Sequence, residues 1–184
     1  PNVITSLELK SEVMEKRNLH LQEKYKTIRE TETRFETSLC EDADYIIVSF
    51  GSASRIGEKA VELAREQGLK VGLFRPITLW PFPSKELVEI SKGKKGILVS
   101  EINAGQMVQD VRLAIDGALP VEHFGRLGGI VPDPEEIVEA LKDKLIKYIR
   151  TRFEQNWLKT QQDPSKIVSI LNNMNPNALI VGFG

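Results

Sequence analysis

The N-terminal region is highly charged, and its few apolar residues are regularly spaced. From residue 7 to about residue 36 there is no proline or glycine, and apolar side chains recur every seven positions. They are Leu7, Met14, Leu21, Ile28 and Phe35, with Tyr25 four positions after Leu21. This spacing predicts one long helix with a narrow apolar stripe, for which Ser6 is a candidate N-cap. A stripe cannot bury itself, so we expect it to pack on the following domain, on an upstream domain or on another subunit, or to self-associate.

From residue 41 to about residue 147, apolar runs alternate with amphipathic segments. The continuous apolar run at 45–50 predicts a buried strand, and further strands are predicted at 70–74, 96–100 and 121–124. Helices are predicted at 55–67, at 84–90 with Ser84 as a cap, at 106–115 and from Pro134 onward. Gly68 is expected to stop the first of these helices. The alternation with short connections predicts an α/β fold: a three-layer sandwich with a small, mostly parallel sheet of four or five strands, preceded by the long helix.

The third region begins near residue 148, and its pattern is weaker. The helix from Pro134 is expected to run on to Trp157, and a further helix is expected at 163–171. A turn-rich stretch at 172–177 precedes an apolar segment at 178–181, which predicts a short strand or a docking tail. We therefore divide the chain into a linker helix (1–38), an α/β domain (39–147) and a C-terminal helical extension (148–184).

The composition excludes several functional classes. The chain has 25 basic and 26 acidic residues, a net charge of -1 that gives no reason to expect nucleic acid or an acidic membrane surface as a partner. No apolar stretch approaches the roughly 20 residues that span a bilayer. The single cysteine, Cys40, suits a reducing cytoplasm and cannot hold an iron–sulfur cluster, which usually needs about four cysteine ligands. His20 and His123 stand apart, so we expect no metal site. Because residue 1 is proline, we expect a fragment or a processed product.

One candidate for binding chemistry is the turn at 51–57, between a strand and a helix. Free backbone amides at such a position can hold an anion, with Ser52, Ser54 and Arg55 as candidate contacts. The segment departs from the dinucleotide pattern at Ala53 and from the P-loop pattern at Glu58. It is therefore interpreted as a tight turn with a capped helix. The alternative interpretation is a weak site for an anion or a protein partner. A stand-alone anion- or nucleotide-binding module is the alternative function.

Further candidates lie where strands end. Arg75 leaves the second strand, and we expect it to pair with a carboxylate such as Glu101 at the end of the third, at the edge where α/β sheets commonly bind ligands. The alternative is a subunit contact through Arg75, Glu101, Asn103 and Gln106. Trp80 and Phe82, between prolines, are interpreted either as interface anchors or as core packing beneath the loop. Arg126 opens a glycine-containing loop that is interpreted as a structural turn.

Four segments in order carry a resemblance to a known family. They are Glu41-Asp42-Ala43-Asp44 with Phe50-Gly51-Ser52 and Arg55, Gly72-Leu73-Phe74-Arg75-Pro76-Ile77-Thr78-Leu79-Trp80-Pro81-Phe82-Pro83, Glu101-Ile102-Asn103-Ala104-Gly105-Gln106 with the residues to Arg112, and Gly125-Arg126-Leu127-Gly128-Gly129. Together they resemble the C-terminal domain of the alpha subunit of 2-oxoacid:ferredoxin oxidoreductases. The segment at 14–25 resembles the helix that joins the two alpha-subunit domains, and it is more like the 2-oxoisovalerate (branched-chain) type than the 2-oxoglutarate type.

The resemblance implies a fold like the C-terminal domain of transketolase. It also implies a parent enzyme with thiamine diphosphate, Mg, iron–sulfur clusters and CoA, which decarboxylates a 2-oxo acid oxidatively to an acyl-CoA and reduces ferredoxin. The implied partners are the N-terminal thiamine-binding domain of the same subunit, the beta and gamma/delta subunits, and ferredoxin. The family's Gly-Asp-Gly motif is absent, and Asn172-Asn173 is interpreted as a turn. We therefore expect no catalytic, cofactor or metal residues here, and a role in inter-domain and subunit assembly.

Overall fold

The computed structural model describes residues 7–161, in which helices and strands alternate. The helices are α1 (Ser11–Thr31), α2 (Gly51–Glu66), α3 (Ser84–Ser91), α4 (Met107–Ile115), α5 (Pro134–Ala140) and α6 (Lys147–Gln161), with a π-helical segment (Leu141–Ile146) between the last two. The strands are β1 (Phe35–Ser38), β2 (Tyr45–Val48), β3 (Val71–Pro76), β4 (Gly96–Glu101) and β5 (Val121–Gly125). The expectations for Ser6 and for 163–171, 172–177 and 178–181 lie outside these residues.

The five strands of this part of the chain form one sheet in the order β1-β3-β2-β4-β5. The four strands β2 to β5 are parallel, and β1 is antiparallel to β3 at one edge. The α2 and α5 helices and the π-helical segment pack on one face, around a core that includes Ile47, Leu73 and Leu98. The α3 and α4 helices pack on the other face, around Phe74 and Val99. The predicted α/β sandwich with a mostly parallel sheet is thus confirmed.

The prediction that the first helix continues to residue 36 is wrong. The α1 helix ends at Thr31, and Phe35 belongs to the edge strand β1, where it pairs with Pro76. Its ring stacks on that of Phe74 with centroids 5.5 Å apart. The seven-residue spacing did not reveal this change, because the partner that draws Phe35 into the sheet is far along the chain. Helix α1 itself contains no buried residue.

The helix ends show which local signals were reliable. Gly68, with φ of +79°, follows α2, and its N–H donates to the carbonyl of Arg65 at 2.9 Å, as predicted for a glycine stop. The α2 helix begins at Gly51 rather than at residue 55. The prediction of Ser84 as the cap of α3 is wrong, because the N-cap is Pro83 and Ser84 is the first helical residue. Helical structure continues from Pro134 through Gln161, so the helix that was expected to run to Trp157 reaches a few residues further.

Gly57 sets how closely α2 approaches the sheet. A Cβ atom at this position would lie 2.7 Å from Ser49 Oγ and 3.1 Å from Leu73 Cδ1. Ser49 is fully buried, and its Oγ has no hydrogen-bond partner in the described structure. We expect Gly57→Ala to lower the free energy of unfolding by about 1–2 kcal/mol, since overpacking outweighs the better helix propensity of alanine. Urea denaturation measures the change.

A matched pair of variants locates the cause of this loss. Ser49→Ala removes an unpaired buried hydroxyl and should leave stability unchanged or slightly higher. In the Ser49→Ala background, Gly57→Ala should cost less, because the oxygen it meets is gone and the longer contact with Leu73 Cδ1 at 3.1 Å remains. Equal losses from Gly57→Ala in both backgrounds would show that Ser49 is not the obstacle.

Candidate functional site

A buried carboxylate, that of Glu101, lies at the carboxyl edge of the sheet. Glu101 ends β4 and is fully buried. Its Oε2 accepts the N–H groups of Met107 (2.8 Å) and Gln106 (3.3 Å), and its Oε1 accepts that of Val108 (3.0 Å). These are the first amides of α4, where free N–H groups and the helix dipole stabilise negative charge. Glu101 is therefore an internal anion that occupies the N-terminus of α4.

The loop between Glu101 and α4 is closed by hydrogen bonds to one of its own side chains. Asn103 Oδ1 accepts the N–H groups of Gly105 (2.7 Å) and Gln106 (3.1 Å), which closes a tight turn. The side chain of Gln106 itself makes no capping bond to α4 and is exposed. Asn103 thus shapes the loop, while Gln106 presents its side chain to solvent.

His123 completes this cluster, and the sequence analysis assigned it no role. It lies on β5, where it pairs with Val99 of β4, so its side chain is on the same face as Glu101. Its Nε2 is buried, lies 3.6 Å from Glu101 Oε1 and has no hydrogen-bond partner in the described structure. Burial lowers the pKa of His123, and this effect exceeds the opposing influence of Glu101. Only the strand order could have revealed the pair, because 22 positions separate the two residues in sequence.

The predicted pairing of Arg75 with Glu101 is wrong. Arg75 Nη1 instead contacts Glu36 Oε2 at 2.8 Å, across the antiparallel pair of β1 and β3. Strand β2 lies between β3 and β4. The two side chains also belong to opposite faces of the sheet, since Arg75 is two positions after Leu73 and Glu101 two after Val99. Arg75 does form a cross-strand ion pair, but with a carboxylate in the segment that was predicted to be helical.

Trp80 and Phe82 have different environments, although only one residue separates them. Phe82 is partly buried and packs on the core beneath α3 and α4. Trp80 remains 54% exposed. Its ring meets that of Tyr25 edge-on at 5.5 Å, and the guanidinium of Arg29 lies 6.0 Å from its centroid. Trp80 therefore connects the proline-rich loop that follows β3 to helix α1.

Arg126 connects the last strand to α5. Its Nη1 lies 3.1 Å from Glu136 Oε1, and its backbone N–H donates to the carbonyl of Glu101 at 3.2 Å. Glu136 also accepts the N–H of Asp133, as half of the capping box that starts α5. The loop after β5 is thus tied to two neighbouring elements.

The candidate anion site at the start of α2 receives less support. Ser54 is buried, and its hydroxyl donates to the carbonyl of Gly51 at 2.7 Å, so its proton is committed to the turn. Ser52 and Arg55 are exposed, and Phe50 at the N-cap supplies no side-chain cap. An anion contact through Ser52 and Arg55 stays a prediction.

The described residues do not fit the cofactors that the resemblance implies for the parent enzyme. Between residues 7 and 161 no group of three or more histidine, cysteine, aspartate or glutamate side chains could hold a metal ion. Cys40 is buried, and burial raises the pKa of its thiol, which disfavours a thiolate ligand. The sequence lacks the Gly-Asp-Gly motif of a thiamine diphosphate–Mg site.

Between residues 7 and 161, no helix is both long and apolar enough to cross a membrane.

The fold is similar to that of proteins of known structure. The structure is similar to a 2-oxoglutarate:ferredoxin oxidoreductase from Magnetococcus marinus with 2-oxoglutarate, coenzyme A and succinyl-CoA bound, with a TM-score of 0.64 and 24% identity over 75% of this chain and 24% of that one. It is also similar to a split-gene transketolase, described as an inactive beta4 tetramer, with a TM-score of 0.53 and 18% identity over 61% of this chain and 41% of that one. The chain thus contains an α/β domain of the transketolase C-terminal type.

The sequence comparison identifies the family. The chain belongs to the family described as pyruvate:ferredoxin oxidoreductase core domain II, which matches residues 43–137. It is 40% identical over 142 residues to the ketoisovalerate oxidoreductase subunit VorB of Methanothermobacter thermautotrophicus. That alignment covers 77% of this chain and 40% of the relative, so the chain spans about two fifths of the relative's length. The family inferred from the four ordered motifs is confirmed.

Proposed function

We propose that this chain is the C-terminal domain of the alpha subunit of a thiamine diphosphate-dependent 2-oxoacid:ferredoxin oxidoreductase. The parent enzyme would convert a 2-oxo acid to an acyl-CoA with reduction of ferredoxin, and this domain would brace its neighbours without taking part in the chemistry. The proposal depends on what occupies the carboxyl edge of the sheet, which is where α/β sheets usually bind ligands. Here the edge carboxylate, Glu101, is fully buried and committed to the backbone of α4.

The substrate and cofactors are proposed from the relatives. The 40% identical relative is a ketoisovalerate oxidoreductase subunit, which favours 2-oxoisovalerate over 2-oxoglutarate as the substrate. Thiamine diphosphate, Mg and iron–sulfur clusters would be held by other parts of the enzyme, since the described residues do not fit them. Coenzyme A is bound in the similar oxidoreductase structure, and it too would bind outside this chain. The balanced charge and the reduced single cysteine are consistent with a cytoplasmic enzyme.

The assembly role would use exposed apolar groups on two elements. Helix α1 has no buried residue, and Val13 and Leu19 are exposed on it. Trp80 exposes about half of its surface beside this helix. In the proposed division, 1–38 links to the N-terminal thiamine-binding domain, 39–147 packs against it or against the beta and gamma/delta subunits, and 148–184 is an extension. Asn103, Arg75 and Arg126 would support such contacts by fixing the loops, and Gln106 would offer an exposed side chain.

Two measurements test the proposal. The isolated chain, mixed with thiamine diphosphate, Mg, coenzyme A and 2-oxoisovalerate, should release no carbon dioxide. The second measurement uses the complete alpha subunit, of which this chain would be a part. In it, Trp80→Ala should weaken association with the other subunits by tenfold or more, as expected for an aromatic anchor that becomes buried in the interface. Leu113→Ala, at an exposed position on α4, is the matched control and should leave association unchanged.

Either of two results would contradict this function. One is decarboxylation by the isolated chain. The other is micromolar binding of ATP, coenzyme A or thiamine diphosphate to the isolated chain in calorimetry, which would favour the anion- or nucleotide-binding module instead. Equal association of the Trp80→Ala and Leu113→Ala subunits would remove Trp80 from the proposed interface.

A further inference from the structure

The β5 edge of the sheet carries backbone groups that no other described strand pairs with. β5 is the last strand of the described sheet on its side, and all five of its residues are partly exposed. The carbonyl of Pro120, one position before β5, accepts the Ile97 N–H at 2.9 Å and therefore points towards β4. Because the backbone alternates in direction along a strand, the N–H and C=O groups of Val121 and His123 face away from β4.

Cationic side chains from both faces of the sheet cover this edge. Arg112 Nη2, from α4 on one face, donates to the carbonyl of Val121 at 3.3 Å. Lys144 Nζ, from the π-helical segment on the other face, donates to the carbonyl of His123 at 3.1 Å. The same ammonium lies 5.7 Å from the centroid of the Phe124 ring, a contact that holds the Lys144 side chain across the edge. The two outward carbonyls are thus capped from opposite faces.

Without these two side chains, the edge would be a template for a further strand. Valine and phenylalanine in β5 favour extended structure, and a row of unpaired N–H and C=O groups attracts another strand. A second copy of this chain offers the same row. Two β5 strands that meet antiparallel about a twofold axis, with the His123 positions opposite each other, would bring their outward groups together.

We propose that Arg112 and Lys144 close the β5 edge to strand addition, so that a second copy of this chain cannot extend the sheet there. Each side chain donates to a carbonyl that an incoming strand would need as its acceptor. An incoming strand would also have to displace both cations or bury them beside it, and the desolvation of a charge opposes burial. Assembly of this domain would then use its other surfaces.

A double variant, Arg112→Met with Lys144→Met, tests the proposal. Methionine preserves a long, unbranched side chain but cannot donate a hydrogen bond. Sedimentation over a concentration series should show self-association roughly tenfold tighter than that of the unmodified chain. The control, Lys85→Met with Lys147→Met, removes two positive charges from exposed positions and should associate as the unmodified chain does. Because both double variants lose the same charge, a change in net charge alone would affect them equally.

Hydrogen exchange of the same samples shows whether the association uses this edge. In the Arg112→Met, Lys144→Met variant, the amides of Val121 and His123 should exchange roughly tenfold more slowly as the protein concentration rises. The amides of Glu122 and Phe124, which face β4, should not respond. In the unmodified chain, exchange at Val121 and His123 should be independent of concentration.

Three results would overturn the proposal. The first is association of the double variant no tighter than that of its control. The second is tighter association without protection of the Val121 and His123 amides. The third is exchange at these two amides in the unmodified chain that is as slow as at Glu122 and Phe124, because the edge would then already be paired. If the double variant fails to fold, Lys144→Met alone uncovers the His123 carbonyl, and the same criteria apply to it. The test uses this chain alone, so its outcome is independent of the proposed enzyme.

Discussion

Replacing Glu101 with alanine should lower the free energy of unfolding by about 3–5 kcal/mol, a large part of the 5–15 kcal/mol that usually stabilises a domain. The carboxylate accepts three backbone N–H groups at the start of α4, and those of Met107 and Val108 are buried. Alanine would leave these donors without an acceptor and would remove the negative charge that complements the helix dipole. Denaturant unfolding followed by circular dichroism measures the loss.

Two control variants make the interpretation specific. Glu101→Gln preserves the shape but turns one acceptor oxygen into a donor NH2 group, so we expect a smaller yet clear loss of about 2 kcal/mol. Glu36→Ala removes a carboxylate from the exposed ion pair with Arg75 and should cost less than about 1 kcal/mol. Comparable losses for Glu36→Ala and Glu101→Ala would contradict the internal-anion role, because exposed and buried carboxylates would then contribute equally.

The second large effect is expected at Gly125, where the strand β5 ends. A Cβ atom at this position would lie 2.3 Å from the backbone oxygen of Asn103 and 2.7 Å from Cε1 of His123. The backbone oxygen belongs to the loop that Asn103 holds closed, so it cannot rotate away as a side chain would. We expect Gly125→Ala to lower the free energy of unfolding by about 2–3 kcal/mol through overpacking. Thermal and urea unfolding measure it.

A double variant shows which contact dominates at Gly125. Adding His123→Ala to Gly125→Ala removes the imidazole but leaves the backbone contact, so most of the interaction penalty should persist. This differs from Gly57, where the obstacle is a side-chain oxygen and Ser49→Ala should relieve it. If His123→Ala makes Gly125→Ala harmless, the approach of the 102–106 loop to β5 is looser than the distances indicate.

These two positions give the proposed assembly role its structural basis. Glu101 and Gly125 hold the loops after β4 and β5 together, and Arg126 extends the connection to α5 through Glu136. A ligand at this edge would have to displace the internal carboxylate from the α4 amides. Among the apolar groups that remain available on the surface are Trp80 on its loop and Val13 and Leu19 on α1.

The repeating order of strands and helices could be predicted from the sequence because it depends on local patterns. Apolar stretches marked β2, β3 and β4, a strand was also predicted at the position of β5, and Gly68 marked the end of α2. The four ordered motifs led to the correct family. The boundary at β1 failed because its evidence is not local: Phe35 fits the seven-residue spacing of α1 equally well, and its stacking on Phe74 decides the matter.

The sequence by itself determined the types of the elements from β2 to α6, the family and the absence of the thiamine diphosphate motif, since these follow from neighbouring residues and short motifs. Only the tertiary structure decided that Arg75 pairs with Glu36 while Glu101 meets His123 and the amides of α4. The physical reason is that an ion pair depends on the order of strands and on which face each side chain occupies. Strand β2 separates β3 from β4, and residues on opposite faces cannot meet through the sheet, however well their charges match.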